Sequence, residues 1–156
     1  MRITTCLAVL VVLSWTCAEG QEAKFTMTAK EKELLDLTNA ERVKAELPAL
    51  KPSPLLFKVA RAHSANMAKQ AKMEHELDGM NPFQRMKGAG YRYSWAGENI
   101  AAGDANIALK TMMKAWMESK IHRENILGKN FSEIGLGIII DDKKQLYYTQ
   151  VFGKPK

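Results

Sequence analysis

The strongest constraint on the fold lies near the end of the sequence. Two apolar runs, Ile134-Gly-Leu-Gly-Ile-Ile-Ile140 and Gln145-Leu-Tyr-Tyr-Thr-Gln-Val-Phe152, flank the polar tetrapeptide Asp141-Asp-Lys-Lys144. Ile134, Leu136, Ile138 and Ile140 recur at every second position, the period at which a strand presents one face. A polar turn between two such runs predicts a β-hairpin with these four side chains together. The upstream sequence has another period: Thr28 followed by Glu31 is a capping box, and Leu34, Leu35, Leu37, Ala40 and Val43 then mark one apolar side of a helix. Helices therefore come first and the sheet is completed last, with no room for several parallel crossovers. The class expected is α+β, a small antiparallel sheet covered by helices.

Asn39 and Arg42 in the first helix read as structural. Pro48, Pro52 and Pro54 exclude helix from 47–54 and predict a connecting turn. Ser53 as cap and Pro54 as first helical position then start a second helix, whose face Leu56, Val59, Ala60, His63, Met67 and Ala71 runs to about Met73. On that face His63 reads first as a core histidine satisfied by a carbonyl or hydroxyl, and second as a site residue. His75 falls in the loop that follows, where binding groups often lie on a rigid scaffold. Asn81-Pro82 opens a short helix through Met86 that Gly88 and Gly90 end. Tyr91, Tyr93 and Trp95 alternate with Arg92 and Ser94 and predict a short strand. Asp104 is expected to cap a third helix through Ile107, Leu109, Met112, Met113 and Trp116, with a break near Lys120 before Ile121 to Leu127. Its methionines and tryptophan read as core filling.

The N-terminal residues 1–20 read as a secretory signal, with Arg2 as the positive region, Leu7 to Leu13 as the apolar stretch, and Ala18-Glu19-Gly20 at the cleavage spacing. The mature chain is then expected to begin near Gln21, with 21–33 a lead-in and helix start, flexible through residue 27, and 34–153 a single domain. Its location is secreted or periplasmic. No later stretch reaches the roughly 20 apolar residues a membrane-spanning helix needs. Both cysteines, Cys6 and Cys17, fall inside the signal, so the exported chain would carry no disulfide. A lipoprotein reading of Cys17 is disfavoured by the bulky Trp15 and Thr16 before it. The formal charge of +6 survives signal removal because Arg2 and Glu19 cancel. The lysines are scattered, without the basic run interleaved with aromatics that a nucleic-acid partner needs.

Several segments in a fixed order carry a resemblance. They are Thr38-Asn39-Ala40-Glu41-Arg42, Ala62-His63-Ser64-x-x-Met67-Ala68, His75, Ala89-Gly90-Tyr91, Gly97-Glu98-Asn99-Ile100-Ala101, Trp116-x-x-Ser119-x-x-His122-Arg123-x-Asn125-Ile126-Leu127 and Gln150-Val151-Phe152-Gly153. In this order the chain resembles the CAP superfamily of cysteine-rich secretory proteins, antigen five and pathogenesis-related proteins. The lack of cysteine in the domain and the compact Ser-x-x-His spacing resemble its bacterial branch. The resemblance implies a three-layer α-β-α sandwich, with a cleft of two histidines and two acids that holds zinc in some members. His75 matches the first histidine, Glu98 the first acid and His122 the second histidine. The second acid is absent: its position is Ser119, and Glu118, one residue earlier, points about 100° away on a helix.

His75, His122 and Glu98 are a chemically sensible zinc set with a position left open for water or ligand. Three functional readings follow. The first is a monomeric, non-enzymatic extracytoplasmic binding module whose cleft of His75, Glu98, Ser119 and His122, with Glu118 and His63 as weaker members, takes a lipid, sterol or protein. The second is a hydrolase of peptide or envelope polymer using Ser119, His122 and Glu98, or a cleft metal. The third is architectural, with His75, Glu98 and His122 tying loops together.

Overall fold

The computed structural model describes residues 25–156. The expected signal peptide, Cys6, Cys17 and the cleavage site lie outside the described residues. The elements are α1 (Ala29–Lys44), β1 (Lys51–Pro52), α2 (Pro54–Gln70), α3 (Pro82–Gly88), β2 (Tyr93–Asp104), α4 (Leu109–Glu118), α5 (Lys120–Ile126), β3 (Glu133–Ile140) and β4 (Gln145–Pro155). No helix among the described residues is long and apolar enough to cross a membrane.

The C-terminal hairpin forms as its period dictates, and it is the centre of the sheet. The strand order is β1-β3-β4-β2, antiparallel except for β1, which pairs parallel with β3. Alternation along β4 divides the core in two. Leu146, Tyr148 and Phe152 join Leu34, Met113, Trp116 and Ile126 on the side of α1, α4 and α5. Tyr147 and Val151 pack on the other side, with Met67 and with Leu56, Val59 and Ala60 of α2 respectively. A sheet buried on both faces by helices is a three-layer α-β-α sandwich. Ile134 and Leu136 are fully buried and Ile138 packs on the same cluster, but Ile140 runs out to 48 % exposure. The intervening Gly135 and Gly137 face α2, whose backbone comes so close that an added Cβ would lie 2.0 Å from the Leu56 carbonyl carbon and 2.3 Å from Ala60 O.

Local capping signals explain the starts of α1 and α3. Thr28 and Glu31 form the expected reciprocal cap, and Asn81 and Gln84 form a second. Four expectations are corrected. Residues 25–27 do not form a loose lead-in: Phe25 packs edge-on against Phe57 at 4.9 Å, and Arg61 lies over both rings. Ser53 occupies the cap position of α2 without a side-chain cap, its N–H instead donating to Ile134 O at 2.9 Å as 47–54 adds the short strand β1 to the sheet. The strand predicted around Tyr91 to Trp95 is the start of the twelve-residue β2. Asp104 ends that strand and accepts from Asn106 N at 2.8 Å, so α4 begins later, after Ala108.

Asn39 and Arg42 are structural. Asn39 exchanges two hydrogen bonds with the Leu50 backbone. Arg42 is 1 % exposed, and its guanidinium donates to the carbonyls of Pro48, Ile126, Gly128 and Phe131. It fastens α1 to the segment after α5 through these carbonyls, sharing that of Gly128 with Phe131 N.

Candidate functional site

Glu98 lies in β2 opposite Val151 of β4, and its carboxylate is almost fully buried, at 2 % side-chain exposure. A carboxylate taken out of water needs a counter-charge. Arg85 of α3 supplies it, with Nη2 at 3.0 Å from Oε1 and 2.8 Å from Oε2. Nη1 of the same guanidinium donates to His75 O and Met80 O at 2.9 and 2.7 Å, so one arginine binds the acid and holds the loop that carries His75. His75 Nδ1 lies 2.8 Å from Glu98 Oε1, while half of its side chain remains open to solvent. His63 is buried, with Nε2 at 3.0 Å from Glu74 O and 3.9 Å from Glu98 Oε1. This is the carbonyl-satisfied core histidine anticipated from its helix face, although its Nδ1 has no partner.

His122 sits on α5, across the Asn99 side chain. Asn99 Nδ2 donates to His122 O and to Gln150 Oε1, each at 3.1 Å, and Asn125 Nδ2 donates to Asn99 Oδ1 at 2.8 Å. Gln150 Nε2 continues to Thr38 Oγ1 at 2.9 Å, so a buried amide chain ties α1, β4, β2 and α5 together. These polar groups satisfy one another and fix how α5 is placed against β2. Burial, with a smaller contribution from the charge of His75, holds His122 below its ordinary pKa, and its Nδ1 is buried without a partner.

Ser119 is the extended residue between α4 and α5, with φ −80° and ψ 122°. It therefore lies outside helical geometry, and no hydrogen bond joins it to His122 among the described residues. Glu118 is exposed and lies 3.8 Å from Lys114 on the outer surface, away from Glu98. Beside His122 and Ser119 runs a groove of about 290 Å³ along the edge of β2, lined by Ile100 and Ala102 of that strand, Met112, Ala115 and Trp116 of α4, and Met73.

The geometry bears directly on zinc. Both Glu98 oxygens are held by Arg85, one of them also by His75. No group of three His, Cys, Asp or Glu side chains among the described residues is arranged to hold a metal ion. With a guanidinium already on the carboxylate, the residues as placed do not fit the divalent cation that the resemblance implies. Arg85 had no distinguishing signal in the sequence, since it is one of two cations, with Lys87, on a short helix. Only the need of a buried Glu98 for a partner pointed to such a residue.

Acid should destabilise this cluster. Burial lowers the His63 pKa below its ordinary 6.5; the charge of Glu98 opposes this, while Arg85 and His75 reinforce it. Folded His63 thus binds a proton less readily than unfolded His63, so below pH 6.5 the unfolded chain takes up more protons. Its contribution is complete above that pH and is lost as pH falls through the folded value. His122 acts in the same sense. The urea midpoint is expected to drop between pH 7.5 and 5.5, with a shallower drop in His63→Gln; a midpoint that rises on acidification would contradict the assignment.

Comparison with known proteins agrees with this architecture. The family model described as CAP, the cysteine-rich secretory protein family, matches residues 35–152. An uncharacterized protein of Bacillus subtilis (strain 168), YkwD, is 39% identical over 133 residues, covering 85% of this chain and 50% of that protein. The chain thus spans about half the length of that relative, and 36% of the uncharacterized membrane protein YlbC of the same organism, which is 32% identical over 132 residues, 84% of this chain. Among solved structures, an outer surface protein of Borrelia burgdorferi superposes with TM-score 0.77 at 25% identity, covering 84% of this chain and 97% of that one. An extracellular protein containing a SCP domain from Bacillus anthracis gives 0.69 at 26% identity, covering 83% of this chain and 45% of that one. With three-quarters of its length matched and the sandwich in place, the chain belongs to the CAP family of cysteine-rich secretory proteins.

Proposed function

We propose that this is an extracytoplasmic CAP domain that acts as a non-enzymatic binding module for an apolar ligand, a lipid or sterol. One observation carries the reading: the groove beside His122 is lined mainly by apolar residues, among them Ile100, Met112 and Trp116, and its one titratable wall residue is held toward the neutral form. Apolar surface with few polar groups at its edge is what a lipid chain or sterol needs. The extracytoplasmic location is supported by two structural neighbours, an outer surface protein and an extracellular protein. A hydrolytic Ser119, His122 and Glu98 arrangement finds no support, because Glu98 is engaged by Arg85 and Ser119 is not hydrogen-bonded to His122. Zinc enters this reading only if the guanidinium moves off Glu98.

The test fills the groove from its rim. Ala115 is exposed on α4 and lines the groove, so Ala115→Phe adds a ring at its edge from a position outside the buried core. Displacing about 100 Å² of ligand contact removes about 2.5 kcal/mol, close to a hundredfold in affinity. Fluorescence titration with a fluorescent fatty acid and a fluorescent sterol should show saturable binding of one of them, lost in Ala115→Phe at unchanged melting temperature. Saturable binding of neither would overturn the proposal.

A further inference from the structure

The geometry points to a second binding site, for a phosphorylated sugar, on the face formed by the end of α3, the start of β2 and the end of β4. A pocket of about 620 Å³ lies there, lined by Lys87, Gly90, Tyr91, Arg92, Tyr93 and Lys156. It shares no lining residue with the groove beside His122.

The chain is shaped to bring these groups together. Gly90 takes φ +87°, a left-handed conformation that costs glycine little, while Gly90 N donates to Lys87 O and Tyr91 N to Met86 O. The reversal brings Lys87, at the end of α3, and Arg92, just before β2, to one pocket. Lys156 N donates to Arg92 O at 3.1 Å, which seats the third cation beside them.

Charge gives the first half of the ligand. Lys87, Arg92 and Lys156 are exposed, and among the described residues none forms an ion pair, whereas Arg61 and Arg85 each hold a carboxylate. No acid lines the pocket, and Glu133, which touches the Tyr91 wall, already accepts from Tyr91 Oη at 2.9 Å. A main-chain carboxylate at Lys156 would offset one charge and leave the pocket positive. A carboxylate ligand would answer only one of the three cations. A phosphate monoester brings about two negative charges and three acceptor oxygens, and the planar fork of an arginine engages two of them at once.

The aromatic wall gives the second half. Tyr91 and Tyr93 line the pocket and stack at 6.5 Å, and Phe83, a residue 45 % exposed just outside the lining, lies 6.4 Å from Tyr93. Aromatic faces beside a cationic cluster offer an apolar body next to the polar end of a ligand. The pocket volume falls within the range of small-molecule sites, about 300–1,000 Å³, which suits one or two sugar rings rather than an extended polymer.

The probe is glucose 6-phosphate, titrated calorimetrically into the purified protein at low ionic strength beside inorganic phosphate and glucose. Glucose 6-phosphate is expected to bind saturably and about tenfold tighter than phosphate, with no heat from glucose. Lys87→Gln and Arg92→Gln should each weaken it by about tenfold or more, as befits the loss of one charge-assisted contact. Their exposure without ion pairs predicts unchanged melting temperatures. Tyr93→Ala should bring the sugar phosphate down to the affinity of phosphate, and Ala115→Phe should leave it unchanged. Equal affinity for phosphate and sugar phosphate, or no saturable binding of either, overturns the proposal. So does binding only to phosphatidylcholine vesicles containing phosphatidylglycerol, which would make this face a membrane surface, or only to an oligonucleotide.

Discussion

Gly135→Ala is expected to destabilise the protein by about 3 kcal/mol or more, at or above the usual cost of overpacking a core by one methyl. The new Cβ would sit 2.0 Å from the Leu56 carbonyl carbon, 2.2 Å from its oxygen and 2.3 Å from Phe57 N. All three are backbone atoms of α2, so no side-chain rotation relieves the clash. The helix cannot easily lift, because Ser53 N bonds Ile134 O at its start and Ser64 Oγ donates to Gly137 O at 3.0 Å further along. Displacing it would also part Leu56, Val59 and Ala60 from Val151. Gly137→Ala meets Ala60 O at 2.3 Å and should behave alike. Since a domain of this size is stable by only about 5–15 kcal/mol, the double variant is expected to be largely unfolded at room temperature. Gly88→Ala, with nothing within 4 Å of its new methyl, supplies the control and should be neutral or slightly stabilising. Urea denaturation followed by circular dichroism distinguishes these outcomes. A Gly135→Ala midpoint equal to that of Gly88→Ala would show that α2 does not press on β3.

These glycines also show what could be read from the sequence. The alternation of Ile134, Leu136 and Ile138 is a local pattern and yields the hairpin directly. That the glycines between them are a second buried face depends on α2, about 80 residues earlier in sequence, and nothing near Gly135 signals it. The capping box at Thr28 was legible because cap and partner lie three residues apart, and the helix start at Asn81 because a proline follows the cap; the Gln84 half of that second box was not read. Asp104 misled for the converse reason: aspartate favours turns as well as caps, and here its carboxylate closes a turn at the end of β2. β1 escaped notice because Pro52 argues against a strand, yet an edge position tolerates a residue with no N–H. In the candidate site, His75 and Glu98 were found through the resemblance and lie 2.8 Å apart. Arg85 and the Asn99 to Gln150 amide chain were not found, since long-range polar pairing leaves no periodic trace.

Arg85→Met is expected to cost about 3–5 kcal/mol, the usual penalty when one partner of a buried ion pair is removed and the other remains. The Glu98 side chain is 2 % exposed and that of Arg85 10 % exposed, so solvent screens little of this interaction. Losing the guanidinium also frees the carbonyls of His75 and Met80, which should loosen the loop carrying His75. Combining Arg85→Met with Glu98→Gln removes the stranded charge and should recover a large part of the loss. A double-mutant cycle from urea midpoints therefore separates the ion pair from the packing of the arginine stem. The same pair decides the question of metal. While Arg85 covers the carboxylate, zinc titrated into metal-stripped wild type should give no saturable heat and leave the melting temperature unchanged. Saturable zinc binding abolished by both His75→Ala and His122→Ala would mean that the guanidinium gives way to the ion. If instead Arg85→Met proves nearly neutral, Glu98 must be stabilised mainly by His75, and the ion pair cannot be what holds the loop in place.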